Sequence, residues 1–379
     1  MTILLIPFIL SKSILGPTAR QGDTWMTKTL RYILVGTGGW GATWCDRFLP
    51  RLAEMNKAVP VAAVDKDPRA LENARTHLGL AAEKCYTDMD RAFADNRADF
   101  AIVVVPPDHH EEVVDAALAH DLDILSEKPI ADTMEASIRI LDKVRSAGKK
   151  MAVNMTHRFD QDKQTLETRI KSGDYGRLNY LIYRFTHNCR KYGEMGGFRH
   201  DMPDPLLIDA AVHHFEVLRS LSGGDGQTIY AVTWNPPWGE YAGDTTGLVT
   251  LQMTNGVRCF YEGAEANASS LNGWAQDYIR AECENGTLEL NRRELRLWRG
   301  GAWEKPLAQD LRLLKLKVWM GAWVAEMFCD WLLGGEPPPT RVEDNIQCSA
   351  LVFAAIESAR TGRPVDVQEF LQKGRALPT

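Results

Sequence analysis

A glycine-rich turn near the start of the chain constrains the fold more than any other feature. Residues 31–52, RYILVGTGGWGATWCDRFLPRL, run from an apolar, β-branched stretch through this turn into an amphipathic stretch. Gly36, Gly38 and Gly41 have the spacing G-x-G-x-x-G. The first glycine of such a turn permits the tight bend, the second lets a pyrophosphate approach the backbone, and the third lets the helix pack closely on the strand. The pattern therefore predicts a strand, a turn and a helix that bind a dinucleotide.

An acidic residue after the next strand indicates which dinucleotide binds. Asp65 follows directly on the apolar run at residues 59–64. A carboxylate at this place can accept a hydrogen bond from a ribose 2′-hydroxyl, which favours NAD over NADP. Lys66 and Arg69 are close enough in sequence to bind a 2′-phosphate, so NADP remains the alternative. An unliganded turn beside a solvated aspartate is the less favoured structural interpretation.

Strands alternate with helical patterns over the first part of the chain. Apolar runs at residues 59–64, 100–107, 122–129 and 150–156 are separated by amphipathic stretches of helix length. This alternation predicts a doubly wound parallel sheet with helices on both faces. We therefore expect a Rossmann NAD(P)-binding domain over residues 27–153.

The pattern changes after about residue 154. Hairpin signals at Asn255-Gly256 and Asn285-Gly286 lie in alternating stretches that no helix separates. They predict a second α/β domain over residues 154–379, with a mainly antiparallel sheet. Two final helices, at 318–334 and 343–361, can pack back on the first domain.

The first 26 residues precede the folded pattern. The apolar stretch at residues 3–10 is too short to cross a bilayer, and no Lys or Arg precedes it as in a signal peptide. We expect residues 1–26 to form a disordered extension and native translation to start at Met26. A cleaved signal peptide is the less favoured alternative.

Composition narrows the class of protein. A net charge of −6 argues against a nucleic-acid partner, which usually meets a basic surface. The seven cysteines are widely spaced and form no C-x-x-C, so neither a disulfide framework nor a zinc knuckle is indicated. We expect a cytoplasmic protein with a small-molecule substrate and no membrane partner.

Four motifs occur in a characteristic order: GTGGWGA, VVVPPDHH, SEKPIA and IDAAVHH. Together they resemble the glucose–fructose oxidoreductase/inositol dehydrogenase/MocA family of NAD(P)-dependent sugar and polyol oxidoreductases. The tripeptide Glu127-Lys128-Pro129 is the most specific element. The resemblance implies a Rossmann domain followed by a substrate-binding and oligomerisation domain with a large open sheet. A homo-oligomer, either dimer or tetramer, is therefore expected through that sheet.

The resemblance also implies roles for individual residues. Lys128 would contact the nicotinamide ribose and the reacting oxygen. Asp209 and His213 match the family's D-x-x-x-H, with the histidine near the carbon that exchanges hydride. Pro106, and Glu127 through its backbone, would border the cofactor. The expected cofactor-binding residues are Gly36, Thr37, Gly38, Gly39, Trp40, Gly41, Asp65, Lys66, Pro106, His110, Glu127 and Lys128. For His110, a structural capping role is the favoured interpretation.

The chemistry of alcohol oxidation agrees with these roles. The cofactor carries the hydride, and the protein must position the alcohol and take its proton. We expect His213 to be the acid–base group and Lys128 to orient the substrate and stabilise negative charge on its oxygen; the reverse assignment remains open. Asp209, four residues before His213, can orient the imidazole or bind a substrate hydroxyl, and the alternative is a helix-surface ion pair. His214 lies about 100° further round the helix and is expected to pack.

A zinc site is the competing interpretation of the histidines. His213, His214, His187 and Cys189 could form a zinc site, but adjacent helical histidines point apart and no H-E-x-x-H occurs, so no metal is predicted. Predicted loops place several cationic side chains near the site, and arginine forks suit acidic groups. The expected substrate-binding residues are Lys128, Arg158, Arg199, His200, Asp209 and His213.

The sequence thus predicts an oxidoreductase that moves hydride between NAD(P) and the secondary alcohol or carbonyl of a sugar, polyol or sugar acid. One alternative is a glycosidase or lyase that retains its NAD and oxidises the substrate transiently. Another is a non-catalytic NAD-binding sensor.

Overall fold

The first sheet is the parallel, doubly wound sheet that the alternation predicts. The structure, a computed structural model, describes residues 28–376, so the predicted extension at 1–26 lies outside the described residues. Six parallel strands lie in the order β3-β2-β1-β4-β5-β6. Their bounds are β1 Leu30–Val35, β2 Ala58–Val64, β3 Cys85–Tyr86, β4 Phe100–Val103, β5 Asp123–Ser126 and β6 Met151–Val153. This order reverses between β1 and β4, where dinucleotides bind in doubly wound sheets.

Helices cover both faces of this sheet. They are α1 Trp40–Thr43, α2 Leu49–Glu54, α3 Leu71–Leu78, α4 Met89–Asp95, α5 His110–Ala119 and α6 Met134–Ser146. A π-helical turn at Trp44–Phe48 joins α1 to α2, so residues 40–54 form one continuous helical segment. Short 3-10 turns occur at Ala82–Lys84 and Pro107–His109.

The second sheet is large, open and mainly antiparallel, as expected. Its nine strands lie in the order β14-β13-β12-β11-β7-β10-β9-β8-β15, and only the pair β7–β10 is parallel. Their bounds are β7 Leu178–Thr186, β8 Gly226–Trp234, β9 Thr246–Met253, β10 Arg258–Ala264, β11 Tyr278–Cys283, β12 Gly286–Asn291, β13 Glu294–Arg299, β14 Leu307–Leu311 and β15 Val365–Asp366.

The remaining helices lie on the inner face of the second sheet and against the first. They are α7 Gln161–Lys171, α8 Gly197–Asp201, α9 Val212–Ser222, α10 Met320–Leu332, α11 Val342–Thr361 and α12 Val367–Ala376. A 3-10 turn precedes α7 at Thr156–Phe159. The helix expected to carry Asp209 and His213 is present, but its first part, Leu206–Ala211, is π-helical.

Alternation along the strands of the second sheet separates a core face from an open face. Tyr183, Cys259 and Tyr261 point inward and are at most 2% exposed. Period-2 patterning of this kind needs one covered face, which α7, α9 and α11 provide. On the first sheet, α10 closes the outer side, where the rings of Phe328 and Phe100 lie 5.5 Å apart. No helix within residues 28–376 is long and apolar enough to cross a membrane.

Candidate active site

The glycine turn after β1 is shaped by contacts that allow no side chain. Gly36 has φ of 94°, and a Cβ added there would lie 2.0 Å from the carbonyl oxygen of Val104, just after β4. A Cβ on Gly41 would lie 2.4 Å from the carbonyl oxygen of Gly36. These two glycines are therefore required by packing, as the motif predicts.

The outer side of the same turn is open to a ligand. A Cβ on Gly39 would meet no atom within 4 Å, and one on Gly38 would meet only side chains. The N–H groups of Gly39 and Trp40, where α1 begins, donate to no described residue. Free N–H groups at a helix start above an open, glycine-lined cradle fit the pyrophosphate of a dinucleotide.

Asp65 fixes the backbone of this turn through hydrogen bonds. Its Oδ2 accepts hydrogen bonds from the N–H groups of Thr37 at 2.7 Å and Gly38 at 2.9 Å. Its Oδ1 accepts from the N–H of Asp67 at 2.9 Å. The carboxylate expected to bind a ribose thus also fixes the backbone of the cradle. Lys66 is exposed beside it, and the exposed Arg69 is paired with Asp67 at 2.8 Å.

Glu127, after β5, joins the cofactor turn to the rest of the site through its side chain. Its Oε1 accepts hydrogen bonds from Trp40 Nε1 at 2.8 Å, Trp44 Nε1 at 2.7 Å and Asn154 Nδ2 at 2.8 Å. The sequence suggested only a backbone role for Glu127, and it gave no signal for Trp44 or Asn154. Because all three donors are neutral, the buried carboxylate is stabilised by hydrogen bonds alone.

Lys128 and Asp209 come together from opposite domains. Lys128 Nζ donates to the Asp209 carbonyl oxygen at 2.7 Å and to Asp209 Oδ1 at 2.8 Å, while Arg199 Nε donates to Oδ2 at 2.8 Å. Burial raises the pKa of Asp209, but the two cations outweigh burial and hold that pKa below its usual value. The aspartate is therefore ionised and fully occupied by Lys128 and Arg199.

His213 lies beside this cluster without bonding to Asp209. Its ring stacks on that of His157, with centroids 4.2 Å apart, and its Nδ1 is enclosed without a partner. Burial, with the neighbouring His157 and Lys128, lowers the pKa of His213 well below its usual value, so the imidazole is neutral. Asp209 and His213 are 6% and 5% exposed, which excludes the helix-surface ion pair.

Asp209 does not bond to His213 because both of its carboxylate oxygens bind cations, Lys128 and Arg199. Asp209 lies in the π-helical turn and His213 follows in α9, so the two residues do not share one regular α-helix. His214 is fully buried, and its Nδ1 lies 2.9 Å from the Tyr261 hydroxyl. It packs under the second sheet.

Three buried residues form a set with metal-ligand chemistry that the sequence did not suggest. His157, His214 and Asp277 each place one donor atom within 4.8 Å of the others. The ammonium of Lys163 lies 2.5 Å from Asp277, and it helps hold the pKa of that carboxyl at about 2 despite burial, which alone would raise it. This cation already balances the charge of Asp277. The absence of a metal stays a prediction.

Of the other residues expected to bind substrate or cofactor, some lie at the Lys128–Asp209 pair and others are bound elsewhere. Arg158 is bound to the buried Glu216 at 2.5 Å, and His200 is 1% exposed with its Nδ1 2.9 Å from the Glu240 carbonyl oxygen. Neither joins the Lys128–Asp209 pair, whereas Arg199 does. Pro106 lies exposed at the rim.

His110 is fully buried and links two segments. Its Nε2 lies 2.9 Å from the Val105 carbonyl oxygen, and its Nδ1 lies 3.0 Å from that of Pro129. It therefore ties the loop after β4 to the segment that carries Lys128.

Comparison with known proteins adds the family. Residues 30–155 match the sequence model of the oxidoreductase family with an NAD-binding Rossmann fold, and residues 164–289 match the GFO/IDH/MocA C-terminal domain. An uncharacterised protein of Sinorhizobium fredii is 46% identical over 92% of this chain and 98% of its own length. Inositol 2-dehydrogenase of Pseudarthrobacter chlorophenolicus is 28% identical over 57% of this chain and 62% of the enzyme.

A solved structure has the same fold. An oxidoreductase from Agrobacterium radiobacter, determined in complex with NAD+, L-tartaric acid and magnesium, superposes with a TM-score of 0.79 at 20% identity. The match covers 90% of this chain and 99% of that protein. Together with the two family matches, which cover most of the chain, this identifies the protein as a member of the Gfo/Idh/MocA oxidoreductase family with an NAD-binding Rossmann domain.

Proposed function

We propose that this protein is an NAD-dependent dehydrogenase that acts on a secondary alcohol of a sugar or polyol. The observation that carries the proposal is the Lys128–Asp209 ion pair, which lies beyond the carboxyl end of β5 and beside His213. This position is where substrates meet the cofactor in doubly wound sheets. The relationship to inositol 2-dehydrogenase supports a polyhydroxylated substrate.

The expected cofactor-binding residues favour NAD. A bound nicotinamide supplies the hydride acceptor or donor. Asp65 offers a carboxylate near the place of a ribose 2′-hydroxyl, which disfavours a phosphate there. Arg69, the cation best suited to that phosphate, is already paired with Asp67 at 2.8 Å. We propose that Trp40, Pro106 and Lys66 border the cofactor, and that Glu127 and His110 hold its binding loops in place.

The chain supplies positioning and proton transfer. Lys128 Nζ, held by Asp209, would donate a hydrogen bond to the substrate oxygen and stabilise negative charge on it. His213 is neutral and can accept the proton through Nε2, since Nδ1 is enclosed. Arg199 would bind a further oxygen of the substrate. Arg158 and His200 support the surrounding loops through Glu216 and the Glu240 carbonyl.

Two measurements test this function. Calorimetry should detect NAD binding that is tighter than NADP binding, and NADH absorbance should report turnover on a panel of polyols, neutral sugars and uronates. Lys128→Met should abolish turnover and leave NAD binding within about threefold of wild type. Absence of NAD binding would contradict the proposal. Glycoside cleavage without net NADH would instead select the NAD-retaining glycosidase.

We also propose that the protein is a cytoplasmic homo-oligomer that associates through the open face of the second sheet. Neighbouring strands β8, β9 and β10 expose large apolar side chains on this face, which a soluble monomer rarely leaves contiguous. They are Tyr230, Val232, Trp234, Leu248 and Phe260, between 38% and 53% exposed. All seven cysteines are free thiols, which suits a reducing compartment. Light scattering on purified protein gives the mass directly.

A further inference from the structure

Glu265 is a buried acidic residue that has no assigned role. It follows β10, along which Cys259, Tyr261 and Gly263 are buried on the inner face while Glu262 is half-buried on the other. Because side chains alternate along a strand, Glu265 continues the inner series. It therefore projects from the same face as Tyr261, whose hydroxyl contacts His214.

The backbone of Glu265 is fixed on both sides. Its N–H donates to the Thr245 carbonyl oxygen at 2.9 Å, and its carbonyl oxygen accepts from the Cys189 N–H at 2.8 Å. Thr245 precedes β9 and Cys189 follows β7, the two strands that flank β10. The direction of the side chain is thus set by the sheet rather than by a free loop.

The carboxyl group of Glu265 is left without a partner. The residue is 3% exposed, and its side chain makes no hydrogen bond or ion pair to another side chain or to the backbone within residues 28–376. Its carboxyl oxygens are not among the fully enclosed polar atoms, so they face space that water or a ligand can enter. The nearest cations, Lys128 and Arg199, are both bound to Asp209. A mostly buried carboxyl group that no other group of the protein binds is available to a ligand that can complete its hydrogen bonding.

Burial and the charges of nearby residues determine whether the Glu265 carboxyl group carries a proton. Burial and the nearby Asp209 together raise the pKa of Glu265 to about 8, although Arg199 and Lys128 act to lower it. Glu265 is therefore a neutral acid at pH 7, able to donate one hydrogen bond and accept another. A carboxyl group kept neutral in this way is a hydrogen-bond donor to an uncharged oxygen.

We propose that Glu265 binds the substrate, donating a hydrogen bond to an oxygen next to the one that Lys128 holds, and so selects compounds with vicinal hydroxyl groups. This inference rests on the proposed function, because it concerns the same site. Lys128 comes from the first domain and binds Asp209, and Glu265 comes from the second domain and is close enough to both for their charges to act on it. A substrate with only one hydroxyl would satisfy Lys128 and leave Glu265 unpaired.

The proposal predicts an alkaline limit for substrate binding. Other titratable groups that face Glu265 keep their protons in this range: burial raises the pKa of Cys189 to about 11 and raises the pKa of Tyr241 and Tyr261 above the ordinary value. The charged groups that face it are Asp209, Lys128 and Arg199. Above about pH 8 Glu265 would lose its proton and compete with Asp209 for the two cations.

Three variants of the full chain test the inference, with NAD and a polyol such as myo-inositol as probes. Glu265→Ala should raise KM about tenfold with kcat changed less than about threefold, the loss of one hydrogen bond. Glu265→Gln, which keeps a neutral donor, should retain KM at pH 7 and lose the rise in KM near pH 8. Glu262→Gln, on the opposite face of β10 and paired with Arg184, is the control and should behave as wild type.

A matched pair of substrates tests the specificity. The preference for cyclohexane-1,2-diol over cyclohexanol is the ratio of their kcat/KM values. This ratio should fall about tenfold in Glu265→Ala and stay at the wild-type value in Glu262→Gln. An unchanged KM in Glu265→Ala, or a wild-type pH profile in Glu265→Gln, would overturn the inference.

A further readout separates failure of the inference from failure of the proposed function. In infrared difference spectra between pH 7 and 9, wild type should lose a protonated-carboxyl band that Glu265→Gln lacks, and myo-inositol should shift that band. If wild type binds NAD and oxidises no polyol, the proposed function fails. The inference fails separately if the band is absent or does not respond to the polyol.

Discussion

Asp209 is the residue on which the charge balance of the site depends. It binds Lys128 through Oδ1 and Arg199 through Oδ2, both at 2.8 Å. In Asp209→Asn the two cations would remain close together without their counter-charge. We expect turnover to fall about a hundredfold or more because Lys128 loses its position. We also expect the free energy of unfolding, measured with urea, to fall by about 2 kcal/mol, because an uncompensated, mostly buried charge remains.

A surface pair provides the control for Asp209. Arg296 and Asp310 are paired at 3.1 Å on β13 and β14, with Asp310 87% exposed. Exposed pairs of this kind contribute little to stability. Asp310→Asn should leave both the urea midpoint and turnover unchanged. If Asp209→Asn also left the urea midpoint and turnover unchanged, the Lys128–Asp209 ion pair would have no part in function.

His157 makes stability dependent on pH. Burial lowers the pKa of His157 to about 4 in the folded state, against about 6.5 when unfolded. A lowered folded pKa means that the unfolded chain takes up the proton first as pH falls. The stability from His157 is therefore complete above about pH 6.5 and is lost between pH 6.5 and 4. At pH 5 the loss from this residue amounts to about 2 kcal/mol.

Urea unfolding at pH 7 and pH 5 measures this effect. His157→Gln should reduce the difference in unfolding free energy between the two pH values, because glutamine does not titrate. His120→Gln replaces an exposed histidine after α5 and should leave that difference intact. A His157→Gln protein with the wild-type pH dependence would assign the effect to His213 and His214, whose pKa values burial also lowers.

At the scale of elements, glycines in the turn between β1 and α1 have two different roles. Gly36 is needed for the turn to pack against β4, whereas Gly38 leaves room for the cofactor. Gly36→Ala places a Cβ 2.0 Å from the Val104 carbonyl oxygen at φ of 94°, so the turn must move away from β4. We expect a loss of several kcal/mol in unfolding free energy by urea, and no NAD binding. Gly38→Ala meets only the Ala70 Cβ at 3.3 Å and the Asp65 Oδ2 at 3.6 Å.

Gly38→Ala therefore forms the matched variant. It should fold with nearly wild-type stability and bind NAD at least tenfold more weakly by calorimetry, since its methyl group would occupy space beside the pyrophosphate. Equal effects of the two substitutions on stability would contradict this division of roles.

The elements also show where sequence patterns stop being informative. Long helical stretches, such as those of α10 and α11, were predicted within about two residues of their bounds. Strand β3 has two residues and α4 has seven, too few to show a period, and neither was predicted. The π-helical turn at Leu206–Ala211 leaves no mark in the spacing of apolar residues. The sequence also does not show that Lys128 and Arg199 bind the Asp209 carboxylate in place of His213.

At the scale of the whole molecule, motif and fold were predictable, and the partners of the side chains were not. The glycine motif and the Glu127-Lys128-Pro129 tripeptide determine which strands end at the site. The pairing of Lys128 with Asp209 spans 81 residues and two domains. The position of Glu265 depends on β10 lying between β7 and β9, which the sequence does not specify. Charged loop residues such as Arg158 resemble substrate ligands in sequence until a buried partner, here Glu216, is known.

The open face of the second sheet gives the last prediction. Leu248 lies on β9, the middle one of the three strands β8, β9 and β10 that expose apolar side chains there. It is 53% exposed, and its neighbours across the sheet are Val232 on β8 and Glu262 on β10. If copies of the chain associate there, Leu248→Asp would bury a charge at the interface, which costs several kcal/mol and should shift the mass measured by light scattering toward that of the monomer. Leu271→Asp replaces a leucine that is 61% exposed in the loop before β11 and should keep the wild-type mass. Unchanged mass in Leu248→Asp would move the interface elsewhere, whereas a monomer that still turns over substrate would show that each copy contains a complete site.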